Sequence, residues 1–355
     1  MTHSETAETS GARAATGLQE PGLRAGPRSP GRRTTRRLLG RILLGATLFV
    51  SALAVTGAVY ETIASTGDAS AFPAPGRLID IGGYRLHIDC RGKGSPTVVL
   101  DAGLGGSSLD WILVQEQLAS RTQVCVYDRA GMGWSESGPN RPRTPAQIAD
   151  ELQLVLDGAG IKAPYVLVGH SLGGKTVRMF AVAHPDDVAG MVLLDARSEQ
   201  MDMHASSEEA DGLTGAFKAQ AAAYSIARRL GLARVLGASL WSAPGIPDRV
   251  ALEMALLATQ PSAVAETLNE GASRAADDEV LARANLGDLP LVVIAAEQNM
   301  VGLAGWAEAQ QRLAQLSTNG RLVVAKGSGH YVQLEQPQLV IRAVEQVTAV
   351  ARADF

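Results

Sequence analysis

Gly169-His170-Ser171-Leu172-Gly173-Gly174 is the stretch of this 355-residue sequence whose residue types and spacing point most directly to chemistry. It fits Gly-x-Ser-x-Gly, with an apolar run at 165–168 before it and a helical pattern at 171–183 after it. A sharp strand-to-helix turn strains its middle residue, and side chains two positions before or after would collide. The turn pushes a hydroxyl out at the top of a sheet, where the start of a helix favours developing negative charge. A serine hydroxyl is a weak nucleophile near neutral pH and needs an adjacent base. The six histidines are His3, His87, His170, His184, His204 and His330. His3 lies in the N-terminal tail, His87 in a strand, and His170 beside the serine but directed elsewhere. His184 ends the helix after the elbow, and His204 sits in a helical insertion. Only His330, in Lys326-Gly327-Ser328-Gly329-His330, follows a late strand on a glycine-flanked loop, which makes it the candidate base. The base needs a carboxylate to hold its tautomer and stabilise the imidazolium. Asp195 and Glu297 both stand at the carboxyl ends of apolar runs.

The elements that must position these groups alternate short apolar runs with helical periodicity. Strands are expected at 77–81 and 84–90, joined through Gly82-Gly83 as a hairpin, and at 97–100, 123–127, 165–168, 191–194, 291–295 and 321–324. Helices are expected at 144–156, with Thr144 as cap and Pro145 in the first turn, at 171–183 and at 339–351. The pattern predicts an α/β architecture, a mostly parallel sheet covered by helices. Between 195 and 288 the strands stop. That stretch is rich in Ala, Leu and Glu at helical spacing, broken at Gly212, Gly231 and Pro244-Gly245, and predicts a cap of about 196–288 over the site.

From about residue 77 to 351 the chain resembles the α/β-hydrolase superfamily, in particular its esterase and lipase-like members. The Gly-His-Ser-Leu-Gly-Gly elbow carries the likeness, together with Asp128-Arg129-Ala130-Gly131-Met132-Gly133-Trp134-Ser135, which is similar to the superfamily's D-R-x-G-x-G-x-S segment. The resemblance implies an eight-stranded, mostly parallel sheet with a cap after the sixth strand. It implies the chain order Ser, acid, His, which His330 alone satisfies. Members place the acid after the seventh strand, where this chain has Glu297, or at the end of the sixth, where it has Asp195. Asp195 is favoured because it is short and sits where the family uses it; Glu297 is the alternative. Likeness further implies an oxyanion hole from the backbone N–H groups of Leu172 and Leu104, the latter in Asp101-Ala102-Gly103-Leu104-Gly105-Gly106. The His-Gly often found in that loop is Ala102-Gly103 here. Cys90 and Cys125 fall on strands that neighbour one another in the superfamily order, so a disulfide is expected. Asp128 and Arg129 are expected to brace the loop beneath the site as a pair. Trp134, Trp241 and Trp306 either line an apolar acyl pocket or belong to the core.

Composition bounds what remains. Hydrophobic residues make up 46% and charged residues 19%, and the net charge is −4. Residues 1–41 hold eight Arg, three Glu and no Lys or Asp, so the rest carries −9. An acidic body argues against nucleic acid as partner. No His, Cys, Asp and Glu cluster has metal-ligand spacing, so no metal and no cofactor are expected. Residues 1–41, polar and arginine-rich, read as a disordered cytoplasmic tail, 42–60 as a transmembrane anchor, 61–76 as a linker and 77–355 as the hydrolase domain. Arg32, Arg33, Arg36, Arg37 and Arg41 keep the preceding side cytoplasmic and put the body outside. A cleaved signal ending near Ala52-Leu53-Ala54 is the rival. The expected function is ester cleavage by a serine mechanism on a small-molecule ester or lipid. Amide, thioester or carbon–carbon hydrolysis, acyl transfer, and a non-catalytic binding role on the same fold are the alternatives. Oligomeric state is left open.

Overall fold

A computed structural model describes residues 32–139, 143–203 and 207–354. The chain divides into two compact units, Met1–Leu53 and Ala54–Phe355. The second holds one eight-stranded sheet: β1 (Arg77–Asp80), β2 (Arg85–Arg91), β3 (Thr97–Asp101), β4 (Val124–Tyr127), β5 (Tyr165–His170), β6 (Val188–Leu194), β7 (Leu291–Ala296) and β8 (Gly320–Ala325). The spatial order is β1-β2-β4-β3-β5-β6-β7-β8, with β2 antiparallel to both neighbours and the later pairs parallel.

Central strands covered on both faces must be apolar throughout. β3, β5, β6 and β7 are buried at every position. Alternate residues feed opposite layers. Tyr165 and Leu167 pack with Val177, Phe180 and Leu313 on one face, whereas Val166 and Val168 pack with Trp111, Leu118 and Val344 on the other. The helix Pro145–Ala159 starts at Thr144 through a reciprocal capping box with Gln147 and stops at Gly160, whose φ of 71° suits only glycine without strain. Between β6 and β7 the chain forms helices from Glu199–Met203 to Asp278–Arg283, which make the cap. His204, assigned to that region, lies outside the described residues, as do residues 1–31 of the tail.

Two expectations at the N-terminus need correction. The helix Arg32–Ser65 begins well before residue 42, so 32–41 are helical, not disordered. Arg and Leu are good helix formers, and a helix continues into the apolar run without a breaker. Nor are residues 61–76 a free linker. The helix runs on to Ser65, another turn spans Asp68–Ala71, and Glu61 is buried. Arg228 Nε lies 2.6 Å from Glu61, and Arg234 reaches Glu61 at 3.1 Å and Asp68 at 2.8 Å. A Cβ at Gly57 would fall 2.2 Å from the Leu230 carbonyl oxygen, so glycine is required for this approach. Composition alone concealed these contacts, because the arginines lie more than 150 residues away.

Cys90 and Cys125 face one another across β2 and β4 and are disulfide-bonded, closing a loop of 35 residues. Cys90→Ala/Cys125→Ala should lower stability by about 3–4 kcal/mol, by the loop-entropy argument. Urea unfolding of the full chain in detergent, with and without reductant, measures it. An unchanged midpoint would mean that strand pairing alone carries the edge of the sheet.

Candidate active site

Ser171 sits between β5 and the helix Gly173–Ala183 with a φ of +52°, a conformation uncommon for a residue bearing a side chain. Three glycines make the turn possible. A Cβ at Gly169 would lie 2.6 Å from the Gly173 carbonyl oxygen, and one at Gly173 would lie 2.5 Å from that of Ala102. One at Gly174 would meet the Ala196 side chain at 2.5 Å. The main chain is pinned as well: Ser171 N–H donates to the Leu194 carbonyl at 3.1 Å, and the Ser171 carbonyl accepts from Gly174 and Arg197.

A cavity of about 370 Å³ opens over the turn and is lined by Ser171, Leu172, Leu104, His330 and residues of the cap. Among the described residues, nothing accepts a hydrogen bond from the Leu172 or Leu104 N–H. His330 Nδ1 lies 2.6 Å from Asp195 Oδ2. The Asp195 carboxylate is fully buried and takes three further donors: the Ala296 N–H at 2.9 Å, Trp306 Nε1 at 2.7 Å and Asn299 Nδ2. It therefore has no capacity left to rotate away from the imidazole. Asn299 also stands 3.2 Å from His330 Nδ1. Because both are donors toward Asp195, that approach is a steric neighbour and not a bond. Asp195 itself has a φ of +40°.

Glu297, the alternative acid, is on the next loop and accepts from the Gly327 N–H at 2.7 Å. It steadies the loop that carries His330 without touching the imidazole. His170 departs from the expectation that it points elsewhere. It lines the cavity, and its Nε2 donates to the His330 carbonyl at 2.9 Å. Burial first, and then the nearby His330, hold its pKa well below the ordinary imidazole range, so it stays neutral with the proton on Nε2. His87 is buried against Asp128, and His184 ends the elbow helix. Of the three tryptophans, Trp306 supports Asp195, Trp241 lines a larger adjoining cavity, and Trp134 packs away from the site against His87. Ser171 and His330 share the cavity, with no hydrogen bond between Ser171 Oγ and the imidazole.

The model of the alpha/beta hydrolase fold matches residues 96–337. The chain belongs to the α/β-hydrolase family. A probable transporter, efuK, of Hormonema carpetanum is 39% identical over 129 residues, which is 34% of this chain and only 18% of that protein. Among solved structures, the epoxide hydrolase CorEH superposes with a TM-score of 0.61 at 23% identity, covering 77% of this chain and 98% of that one. A thermophilic esterase from Thermogutta terrifontis gives 0.59 at 22%, covering 78% and 98%. At these identities the likeness to the structures is one of fold.

In this α/β-hydrolase the shell around the site is built from buried charges. Asp128 and Arg129 do not pair with each other, as expected from sequence, but serve different partners. Asp128 accepts from His87 Nδ1, the Ser108 N–H and the Trp134 N–H. Arg129 binds Asp101 at 2.7 Å and Glu270 at 2.8 Å and donates to the Ala102 and Gly103 carbonyls. One guanidinium thus ties β3, the Leu104 loop and the cap helix Pro261–Ser273 together. A carboxylate and a guanidinium adjacent in sequence thus take separate partners, which no local motif announces.

Asp110 lines both the Ser171 cavity and the larger one, and its Oδ2 is buried without a partner among the described residues. Burial is the main cause that pushes its pKa up to about 7, against the pull of Arg129. Between about pH 4 and pH 7 the native protein holds a proton that the unfolded chain has released, so stability falls as pH rises through that window. Asp110→Asn should raise stability by about 1–2 kcal/mol at pH 5 and by roughly 4 kcal/mol at most at pH 8. Thermal unfolding at the two pH values checks this; a parallel shift at both would reject the ionisation argument.

Proposed function

We propose that the protein is a serine hydrolase that cleaves carboxylic esters, with Ser171 as nucleophile, His330 as base and Asp195 as the acid that orients it. His330 takes the Ser171 proton as Oγ attacks the carbonyl carbon. The Leu172 and Leu104 N–H groups donate to the developing oxyanion. His330 then gives its proton to the departing alcohol, and an acyl-enzyme forms. Water, deprotonated by the same imidazole, attacks that ester and releases the acid and free Ser171.

The observation that carries the reading is the 2.6 Å contact of His330 with a carboxylate held by four donors, in the cavity that Ser171 faces with positive φ. The α/β-hydrolase fold accommodates it. An epoxide-opening mechanism through a carboxylate ester has no carboxylate at position 171. The larger cavity, about 740 Å³, is lined by Leu240, Trp241, Met254 and Leu257 and suits an apolar acyl chain.

A membrane location is part of the same proposal. The stretch Thr35–Ser65 is long and apolar enough to cross a bilayer, and arginines precede it. The disulfide suits an oxidising space outside the cytoplasm. The cap helix Leu232–Leu240 turns its small residues Ala233 and Gly237 inward and exposes Leu232, Val235, Leu236 and Leu240. An apolar face of this kind fits a lipid surface.

Hydrolysis of p-nitrophenyl esters from acetate to palmitate by the full chain in detergent is the test. Ser171→Ala should abolish turnover, and Asp195→Asn should lower kcat about 10³- to 10⁴-fold. Glu297→Gln should stay within about threefold, since it touches only loop backbone. Equal damage from the two carboxylate changes would overturn the assignment of the acid. A folded protein without turnover on any ester would overturn the esterase reading.

A further inference from the structure

The Ser171 cavity also carries two cations that ester cleavage does not require. Arg197 and Arg274 both line it, with side chains only 20% and 11% exposed. Arg197 is fixed beside the nucleophile by its main chain, whose N–H donates to the Ser171 carbonyl at 3.0 Å. Arg274 follows the cap helix Pro261–Ser273. Behind them Asp202 accepts from Arg197 Nε at 3.0 Å, Arg274 Nε at 3.3 Å and Lys175 Nζ at 2.6 Å. Lys175 also reaches Asp278 and the Arg274 carbonyl. Burial opposes ionisation of Asp202, but its cationic neighbours outweigh that and bring its pKa down to about 2.

Among the described residues, three cations here share two carboxylates, Asp202 and Asp278. One positive charge is left over at the cavity wall. Arg197 Nη1 and Arg274 Nη2 have no hydrogen-bond partner among the described residues. A half-buried cation without a counter-ion is unfavourable, and guanidinium donors match carboxylate and phosphate oxygens.

We propose that Arg197 and Arg274 form an anion subsite beside Ser171, which takes a carboxylate or phosphate group carried by the substrate. This rests on the ester-hydrolase reading and narrows it. The substrate is an ester with one anionic end at the arginines and one apolar part in the larger cavity.

Two matched ester pairs test the subsite on the full chain. p-Nitrophenyl hydrogen adipate against p-nitrophenyl hexanoate places the charge on the acyl part. O-Hexanoyl glycolate against the hexanoyl ester of ethylene glycol places it on the alcohol. The charged member of at least one pair should be preferred tenfold or more in kcat/KM. Arg274→Met should erase the preference and Arg274→Lys should restore part of it. Arg197→Met should act likewise, and Arg274→Met stands in for it if that variant does not fold. Binding is read separately on Ser171→Ala: adipate or hexyl phosphate should raise the unfolding midpoint, hexanol should not, and adding Arg274→Met should remove the rise. A preference in neither pair, one that survives Arg274→Met, or no anion-dependent rise overturns the subsite. Absent turnover with an Arg274-dependent rise upholds the subsite and overturns the hydrolase reading, so the two fail separately.

Discussion

A positive φ at Ser171 is the constraint on which the rest of the structure depends. A residue with a side chain adopts it only at a cost of order 1–3 kcal/mol, and only where surrounding contacts over-determine it. Here the contacts are backbone against backbone. Gly173 lies against the Asp101 and Ala102 carbonyls, and Gly169 lies against Gly173 and Gly174. The elbow helix must therefore cross β3 and β5 at glycine distance. Once it does, Gly103 is brought so near that any Cβ there would meet His170 at 2.8 Å and Ser171 Cβ at 3.2 Å. The same crossing puts the Leu104 loop at the cavity, places Asp195 at the end of β6 and lets the Arg197 N–H reach the Ser171 carbonyl.

This explains which features were legible in the sequence. The elbow announces itself because its glycines are local, and a strand must precede it and a helix follow. The strands of the sheet were legible for a similar reason. Runs such as Leu291–Ala296 are apolar throughout, and two-sided burial leaves no other pattern. The acid was narrowed to Asp195 or Glu297 because both sit at strand ends. What distinguishes them is lateral. Trp306 and Asn299, more than 100 residues downstream, aim their N–H groups at Asp195, whereas Glu297 faces its own neighbouring loop. No spacing rule in one sequence encodes that.

The less legible part is the charged shell, and its logic is topological. Arg129, Lys175 and Arg178 all lie on or beside the central sheet, and each meets a carboxylate from the segment between β6 and β7. Removing a charge from water costs several kcal/mol, which a buried pair recovers only with good geometry. Such pairs add little net stability, yet leaving one partner unmatched is severe. They therefore act on orientation. A cap seated on apolar contacts alone could slide, but one keyed by Glu270, Asp278 and Glu199 to three fixed cations has a single register.

The N-terminal stretch follows the same rule at a greater distance. Glu61 and Asp68 lie directly beyond the apolar run, and both are held by Arg228 and Arg234 of the cap. Gly57 allows the backbone to touch at Leu230. The cap is thus clasped from two directions, by the sheet cations on one side and by residues 57–68 on the other. A helix whose large apolar side chains face outward, Leu232–Leu240, carries one of the clasping arginines, Arg234. Movement of the cap away from the site would have to break charge pairs on both sides. The cavity above Ser171 is consequently bounded by a cap that charge pairs hold from both sides.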